Sequence, residues 1–311
     1  MKTMSELIEL ARLSAAGAAK KPRVAVAAAG EDAVLRAVED ARKAGLAEFI
    51  LIGEKADIER VAAAEGIDLG AYETVFERGA AAAAASAVAH VRNGDAELLM
   101  KGILDTSVIL KAALDKDAGI RAGRLMSHVG VIESPHYHKL LVVTDSAINI
   151  APTLSDKIDI IKNAVDCARA VGVENPKVAI LAAVEKVNPD KMPCTADAAV
   201  LTQMNRRGQI SGCVIDGPLA LDNAVSAEAA RIKKIESPVA GDADILVSPD
   251  IEAGNVLYKA LVDLGGAKAA GVVLGAGAPI VLTSRADEAT TKLASIALGI
   301  LIARCGSEKS T

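Results

Sequence analysis

The sequence has no tryptophan, only two phenylalanines and three tyrosines, and a formal net charge of -5 over 311 residues. It therefore has no aromatic platform on which single-stranded nucleic acid could stack, and no basic excess to hold a phosphate backbone. The four cysteines, Cys167, Cys194, Cys213 and Cys305, form no C-x-x-C pair. That excludes a zinc knuckle and a dithiol redox motif, and it favours free thiols in a reducing compartment. No uncharged apolar run reaches the ~18 residues of a membrane span. The opening MKTMSELIELARLSAAGAAKK interleaves Glu6, Glu9 and Arg12 with its apolar residues, unlike the core of a signal peptide. A cytoplasmic chain with no nucleic-acid or membrane partner is expected.

Several catalytic signatures are missing as well. There is no G-x-x-x-x-G-K-[ST] phosphate loop and no G-x-S-x-G nucleophile elbow. The first strand–helix turn, AAAGED, has one glycine, and Gly275-Ala276-Gly277 precedes a strand, so neither reads as a dinucleotide fingerprint. His136 and His138 have no nearby acidic or cysteine partner and read as loop histidines, so no metal site is expected. No fixed repeat is apparent, which removes solenoids and propellers.

What remains is an aliphatic chain, 51% hydrophobic, in which short apolar runs alternate with helical periods. Runs at 23–29, 48–52, 98–101, 177–182, 213–216, 244–247, 271–274 and 280–282 read as buried strands. Between them lie helical patterns at 32–44, 79–92, 105–115, 155–170 (Ser155 as N-cap), 195–206, 226–233 and 253–264. This alternation predicts an α/β fold with parallel strands. At 129–144 two strand-like runs flank SPHYH, a hairpin-like or crossing connection where the texture changes. So many alternations exceed one comfortable sheet, and the domains are expected at 1–136 with 285–311, and at 137–284.

Four polar turns follow apolar strands. They are Thr144 to Asn149 (TDSAIN), Asp216-Gly217-Pro218-Leu219, Ser248 to Asn255 (SPDIEAGN) and Thr283 to Asp287 (TSRAD). Strand carboxyl ends are where open α/β sheets bind ligands. In the last turn the free N–H groups of a helix start would attract an anion, and Arg285 adds a bidentate phosphate donor. Ser284 with Asp287 equally fits an N-cap and its reciprocal partner. Gly254 removes a side chain where a ligand could approach the backbone. Asn255 suits a helix interior poorly unless its amide has a task. Asp250 doubles as a plausible helix cap.

Taken in order and spacing, TDSAINIAPT, DGPLALDNAVS, DADILVSPDIEAGNVLYKAL and PIVLTSRADE resemble the phosphate acetyl/butyryltransferase family, and with RVAVAAAGEDAVLRAV the likeness spans nearly the whole chain. Length and the TSRAD motif look closer to the butyryl branch. The resemblance implies two α/β domains with mainly parallel sheets and an interdomain cleft, an isocitrate/isopropylmalate dehydrogenase-like build, in a homodimer or larger homo-oligomer. It implies reversible transfer of an acyl group between CoA and phosphate, with both as substrates and no bound cofactor. It puts Ser284 and Arg285 at the reacting centre. The acetyl branch has an aspartate base six residues after its arginine; here that position is Thr291, and Asp287, one helical turn earlier, is the replacement candidate. Lys111 stands where the acetyl branch has an arginine near CoA. With it, Thr106, Asp145, Asn149, Asp216, Asp250, Gly254 and Asn255 are the expected substrate-binding residues.

The residue types suit the chemistry. A thiol of pKa about 8.5 is only slightly ionised at neutral pH, so a carboxylate base helps CoA to attack an acyl phosphate. Arg285, Ser284 and helix N–H groups could donate to the tetrahedral oxyanion. The alternatives are a phosphate acetyltransferase, a two-domain NAD-dependent decarboxylating dehydrogenase, for which no carboxylate cluster is found, and a non-catalytic acyl-CoA binding protein.

Overall fold

The computed structural model describes residues 1–283 and 287–308. The chain forms two compact α/β units. One comprises 4–124 and 270–311, and the other comprises 1–3 and 125–269.

The first of these units opens with helix α1 (Met4–Ala16) and then alternates strictly: β1 (Arg23–Ala27), α2 (Asp32–Lys43), β2 (Glu48–Gly53), α3 (Lys55–Glu65), β3 (Glu73–Phe76), α4 (Ala80–Arg92), β4 (Leu98–Lys101) and α5 (Thr106–Ala113). The chain returns at its end with β10 (Lys268–Leu274), β11 (Ile280–Val281) and α11 (Ala289–Glu308). The sheet runs β3-β2-β1-β4-β11-β10, parallel except where β11 meets β10. Strands such as VAVA and FILI are apolar along their whole length because helices cover both faces. Alanine keeps those helices close. α4 buries Ala83, Ala84, Ala87 and Val88 and packs on β1, β2 and α5. The alanine-rich stretch at 80–92 is thus a helix, as its propensity predicts.

The second unit holds β5 (Ser127–Glu133), β6 (Leu141–Thr144), α6 (Leu154–Ala170), β7 (Lys177–Leu181), α7 (Pro193–Arg206), β8 (Val214–Leu219), α8 (Leu221–Val225), α9 (Ala227–Ile232), β9 (Ile245–Val247) and α10 (Ile251–Lys259), the last running into a π-helical turn. Its strand order is β5-β6-β9-β7-β8, with β5 antiparallel to β6 and the rest parallel. The antiparallel β5–β6 pairing makes the SPHYH connection a hairpin rather than a crossing. Ile132, Leu141, Val143, Leu181, Leu219 and Leu246 share one core cluster. His138 and Lys139 in the hairpin connection bond to Asp242, and the Tyr137 hydroxyl donates to the Ala243 carbonyl, fixing the hairpin to the lead-in of β9.

Three local expectations change. α6 is capped by Thr153, not Ser155: its hydroxyl accepts from Asp156 N, and the Asp156 carboxylate accepts from Thr153 N, a complete capping box. A short helix α8, which the sequence did not suggest, precedes the helix expected at 226–233, and that helix is α9 with the Ser226 hydroxyl as its cap. β8 does not stop at Asp216 but continues through a cis Gly217–Pro218 to Leu219. A proline is tolerated there because β8 is an edge strand.

Candidate active site

In the second unit, β6 and β9 lie side by side in parallel, with Thr144 opposite Val247. Their carboxyl ends therefore deliver two of the four polar turns to one place. The Asp145 carboxylate is buried and gathers its own loop: Oδ1 accepts from the N–H groups of Ala147 (2.9 Å) and Ile148 (3.1 Å), and Oδ2 from Asn149 N (3.2 Å) and Nδ2 (2.7 Å). The Asn149 amide also donates to the Met126 carbonyl at 2.9 Å. Asp145 and Asn149 thus shape the loop that follows β6.

The turn after β9 locks onto that loop. Asp250 is the N-cap of α10, its carboxylate accepting from Ala253 N at 2.9 Å. Ile251 N donates to the Ile150 carbonyl at 3.0 Å, and Asn255 Nδ2 donates to the Ser146 carbonyl at 2.9 Å. This bond is the task that explains an asparagine inside a helix. Gly254 faces the same loop. A Cβ there would lie 2.2 Å from the Asp145 carbonyl oxygen, so the group that approaches its backbone is protein. Behind the loop, the Ser146 hydroxyl is 2.8 Å from His128 Nδ1, both side chains buried. The Ser248 hydroxyl is buried without a hydrogen-bond partner among the described residues. Asp216 stands apart from this arrangement, half-buried on β8 opposite Ala179, with β7 between its strand and β9.

In the unit that contains both α1 and α11, parallel β1, β4 and β11 carry the other candidates. Gly102, just past β4, sits where a Cβ would be 2.1 Å from the Ala28 carbonyl oxygen, so backbone packs on backbone at this sheet edge. Thr106 opens α5 and Lys111 lies exposed in its last turn, where a cation also suits the helix dipole. Ser284 and Arg285 lie outside the described residues. Asp287 is described, half-buried, and precedes α11. The helix begins at Ala289, and its first bond runs from Lys292 N to the Glu288 carbonyl, so Glu288 is the residue in the capping position. Asp287 thus approaches α11 from the loop that precedes the helix.

Two of the four thiols are poor nucleophiles. Burial pushes Cys167 up to about 12, with Asp166 adding to the effect, and Cys213 up to about 11 against the opposing charge of Arg169. Among the described residues no three His, Cys, Asp or Glu side chains gather as a metal site.

The family described as Phosphate acetyl/butaryl transferase matches residues 3–85 and 77–300. The chain belongs to this family. Phosphate butyryltransferase of Clostridium acetobutylicum is 50% identical over 281 residues, covering 90% of this chain and 93% of that protein. Phosphate acetyltransferase of Thermotoga maritima is 46% identical over 300 residues, covering 96% and 99%. Among solved structures, a branched-chain phosphotransacylase from Enterococcus faecalis superposes with a TM-score of 0.79 at 35% identity, covering 91% of this chain and 99% of that one. The α/β fold, with its largely parallel sheet, is thus that of the phosphotransacylases. The isocitrate/isopropylmalate dehydrogenase-like comparison has no support in these likenesses.

Within this family frame, three lysines are buried among the described residues: Lys157, paired with Asp197 at 2.7 Å, and two that the sequence already marks, Lys101 at the end of β4 and Lys292 in the first turn of α11. The signal for these two is a lysine closing the apolar run LLMK, and another on the apolar face of TTKLASIALGILIA.

Proposed function

We propose that the protein is a phosphate acyltransferase of the butyryl type, which exchanges the acyl group of a short-chain acyl-CoA between CoA and phosphate. The observation that carries this reading is the family match along residues 3–300, together with 50% identity to a phosphate butyryltransferase over 90% of the chain. The acetyl branch is the second reading, favoured by the 46% identity to a phosphate acetyltransferase that covers nearly both chains.

In this reading the reacting centre is built from Ser284, Arg285 and Asp287. Arg285 holds the phosphoryl oxygens with its planar fork, Ser284 donates to the developing oxyanion, and Asp287 takes the CoA thiol proton. The butyryl assignment of the base rests on Thr291, a residue that has no basic group, standing where the acetyl branch has aspartate. Asp145, Asn149, Asp250, Gly254 and Asn255 would serve by holding the β6 and β9 loops as one rigid surface for substrate. Asp216, Thr106 and Lys111 complete the proposed binding set. The reaction needs no bound cofactor in this scheme; CoA and phosphate are the substrates. Two α/β domains separated by a substrate cleft, a cytoplasmic location and a homodimer or larger homo-oligomer belong to the same proposal.

The test is phosphate-dependent release of CoA thiol from acetyl-, propionyl- and butyryl-CoA, run with the wild-type chain and with Arg285→Ala. Wild-type turnover fastest with butyryl-CoA, and a loss of about a hundredfold or more in the variant, is the expected outcome. A wild-type chain that binds acyl-CoA but releases no thiol when phosphate is added would overturn the enzymatic reading. Near-normal turnover in a folded Arg285→Ala chain would remove that residue from the centre.

A further inference from the structure

Single apolar side chains scattered over a protein surface are ordinary, but a contiguous set is not. The three most exposed large apolar side chains among the described residues are Leu264 (88%), Ile150 (69%) and Val256 (68%). All three belong to one place. Val256 lies on α10, and Leu264 ends the π-helical turn into which α10 runs. Ile150 is tied to the first turn of α10 by the bond from Ile251 N to its carbonyl. Val256, Ala260 and Leu264 follow at intervals of four, so they form a stripe along one face, and the exposed Glu252 and Lys259 flank Val256 on that face.

The opposite face of α10 is already engaged. Leu257, Tyr258 and Leu261 pack on the core cluster of the second unit, while Gly254 and Asn255 meet the loop that follows β6. A helix with one face on the core ordinarily turns polar residues to water on the other, so an apolar outer stripe asks for a second surface. The charges say which surface. Glu252 and Lys259 are two turns apart, about 10 Å along the axis, too far to pair with each other. When α10 meets a copy of itself antiparallel, across a two-fold axis at Val256, position 252 of one copy faces positions 259 and 260 of the other. Glu252 then meets Lys259 of the second copy, twice over by symmetry, and Leu264 overhangs toward the second copy's Ile150. A parallel pairing would set Glu252 against Glu252. The face is therefore self-complementary in the antiparallel sense, as an isologous interface requires.

We infer that the outer face of α10, with Ile150 at its start, is the surface on which two copies of this chain associate about a two-fold axis. The inference rests on the homo-oligomer of the proposed function and gives it a surface, a pairing direction and a register. The apolar stripe supplies the attraction, and the two Glu252–Lys259 pairs fix the direction. Association also bears on the candidate site, because the inner face of the same helix holds the Asp145 loop through Gly254 and Asn255.

The experiment measures self-association of the full-length chain by analytical ultracentrifugation over a range of concentrations. The variants are Val256→Asp, Glu252→Lys, Lys259→Glu and the double reversal Glu252→Lys with Lys259→Glu. The wild type is expected to associate, and each single variant to raise the dissociation constant at least about tenfold. The double reversal restores the opposite-charge pairs between copies and is expected to return the constant to within about threefold of the wild type. Charges that act only within their own helix predict otherwise. Glu252 near its start and Lys259 at its end both suit the helix dipole, so reversing both would lower Tm more than reversing either, with no rescue of association. That result overturns the inference. Should a charge variant not fold, Val256→Cys is oxidised, since two thiols on the axis come within bonding reach. A disulfide-linked dimer that the wild type does not form supports the surface, and its absence overturns it. A wild type that is monomeric at every concentration is failure of the homo-oligomer itself. An oligomer that all the variants leave intact is failure of the α10 face alone, and phosphate-dependent thiol release tests the acyltransferase chemistry separately from both.

Discussion

Gly254 shows how a residue that looks functional in sequence can be explained by a neighbour far along the chain. It lies inside α10, where glycine is the poorest helix former except proline. In an ordinary helix, replacing it with alanine would stabilise the protein by up to about 1 kcal/mol. Here the new Cβ would meet the Asp145 carbonyl oxygen at 2.2 Å, with backbone on both sides and no flexible side chain to yield. Gly254→Ala is therefore expected to destabilise, by about 1–3 kcal/mol, as overpacked sites do. Urea unfolding of the variant decides the sign. The sequence marked Gly254 and Asn255 as anomalous for a helix, yet it could not name their partners. The Asn255 bond to Ser146 spans 109 positions, and no local pattern encodes so distant a contact. Asp145 is the converse case. It reads as a ligand in a polar turn, but its carboxylate is occupied by four N–H donors from its own loop.

At the scale of elements, periodicity made most of the strands and helices legible, because doubly covered strands are apolar throughout and bounded by turn residues. The ends were harder to read. In α6 the sequence pointed to Ser155 as the cap, and the reciprocal bonds with Asp156 move it two residues earlier to Thr153. Thr153→Ala is expected to cost about 0.5–2 kcal/mol, visible as a lower Tm, whereas Ser155→Ala should cost much less. Neither should alter kcat, since neither side chain belongs to the proposed centre. The shortest strand, β11, has two residues, and its place between β4 and β10 follows from pairing that no run length predicts. α11 is long and apolar enough to cross a membrane by length and composition, but it packs on α1, α2, β4 and β11.

At the scale of the molecule, acid stability depends on a few carboxylates held by cations. Glu39 on α2 accepts from Arg42 Nε at 2.8 Å and from the Tyr72 hydroxyl, and Lys43 lies 3.3 Å away. Its pKa falls from 4.5 to about 2, chiefly through the Arg42 bond, against the cost of burial and with help from Tyr72 and Lys43. Asp242, beside Lys177 and Lys139, is likewise driven below its usual range although burial opposes it. A depressed folded-state pKa stabilises the protein above the unfolded value and ceases to do so as pH falls through the folded one. The margin of the wild type over Glu39→Gln in Tm is therefore expected to be full above about pH 5 and to shrink between 4.5 and about 2. A margin that stayed constant across that range would contradict the assignment.

The unit that begins with α1 also ends with α11, and its sheet has β11 inserted between β4 and β10. During synthesis on the ribosome, β1 to β4 emerge long before their last neighbours. β4 then presents an unpaired edge until Val281 is available, while every strand from β5 to β9 has already been made. The middle of the chain can thus complete its fold first, and the flanking unit closes only once β11 has been made. A shortened product ending before residue 280 would leave β4 open, the kind of edge that pairs with other chains.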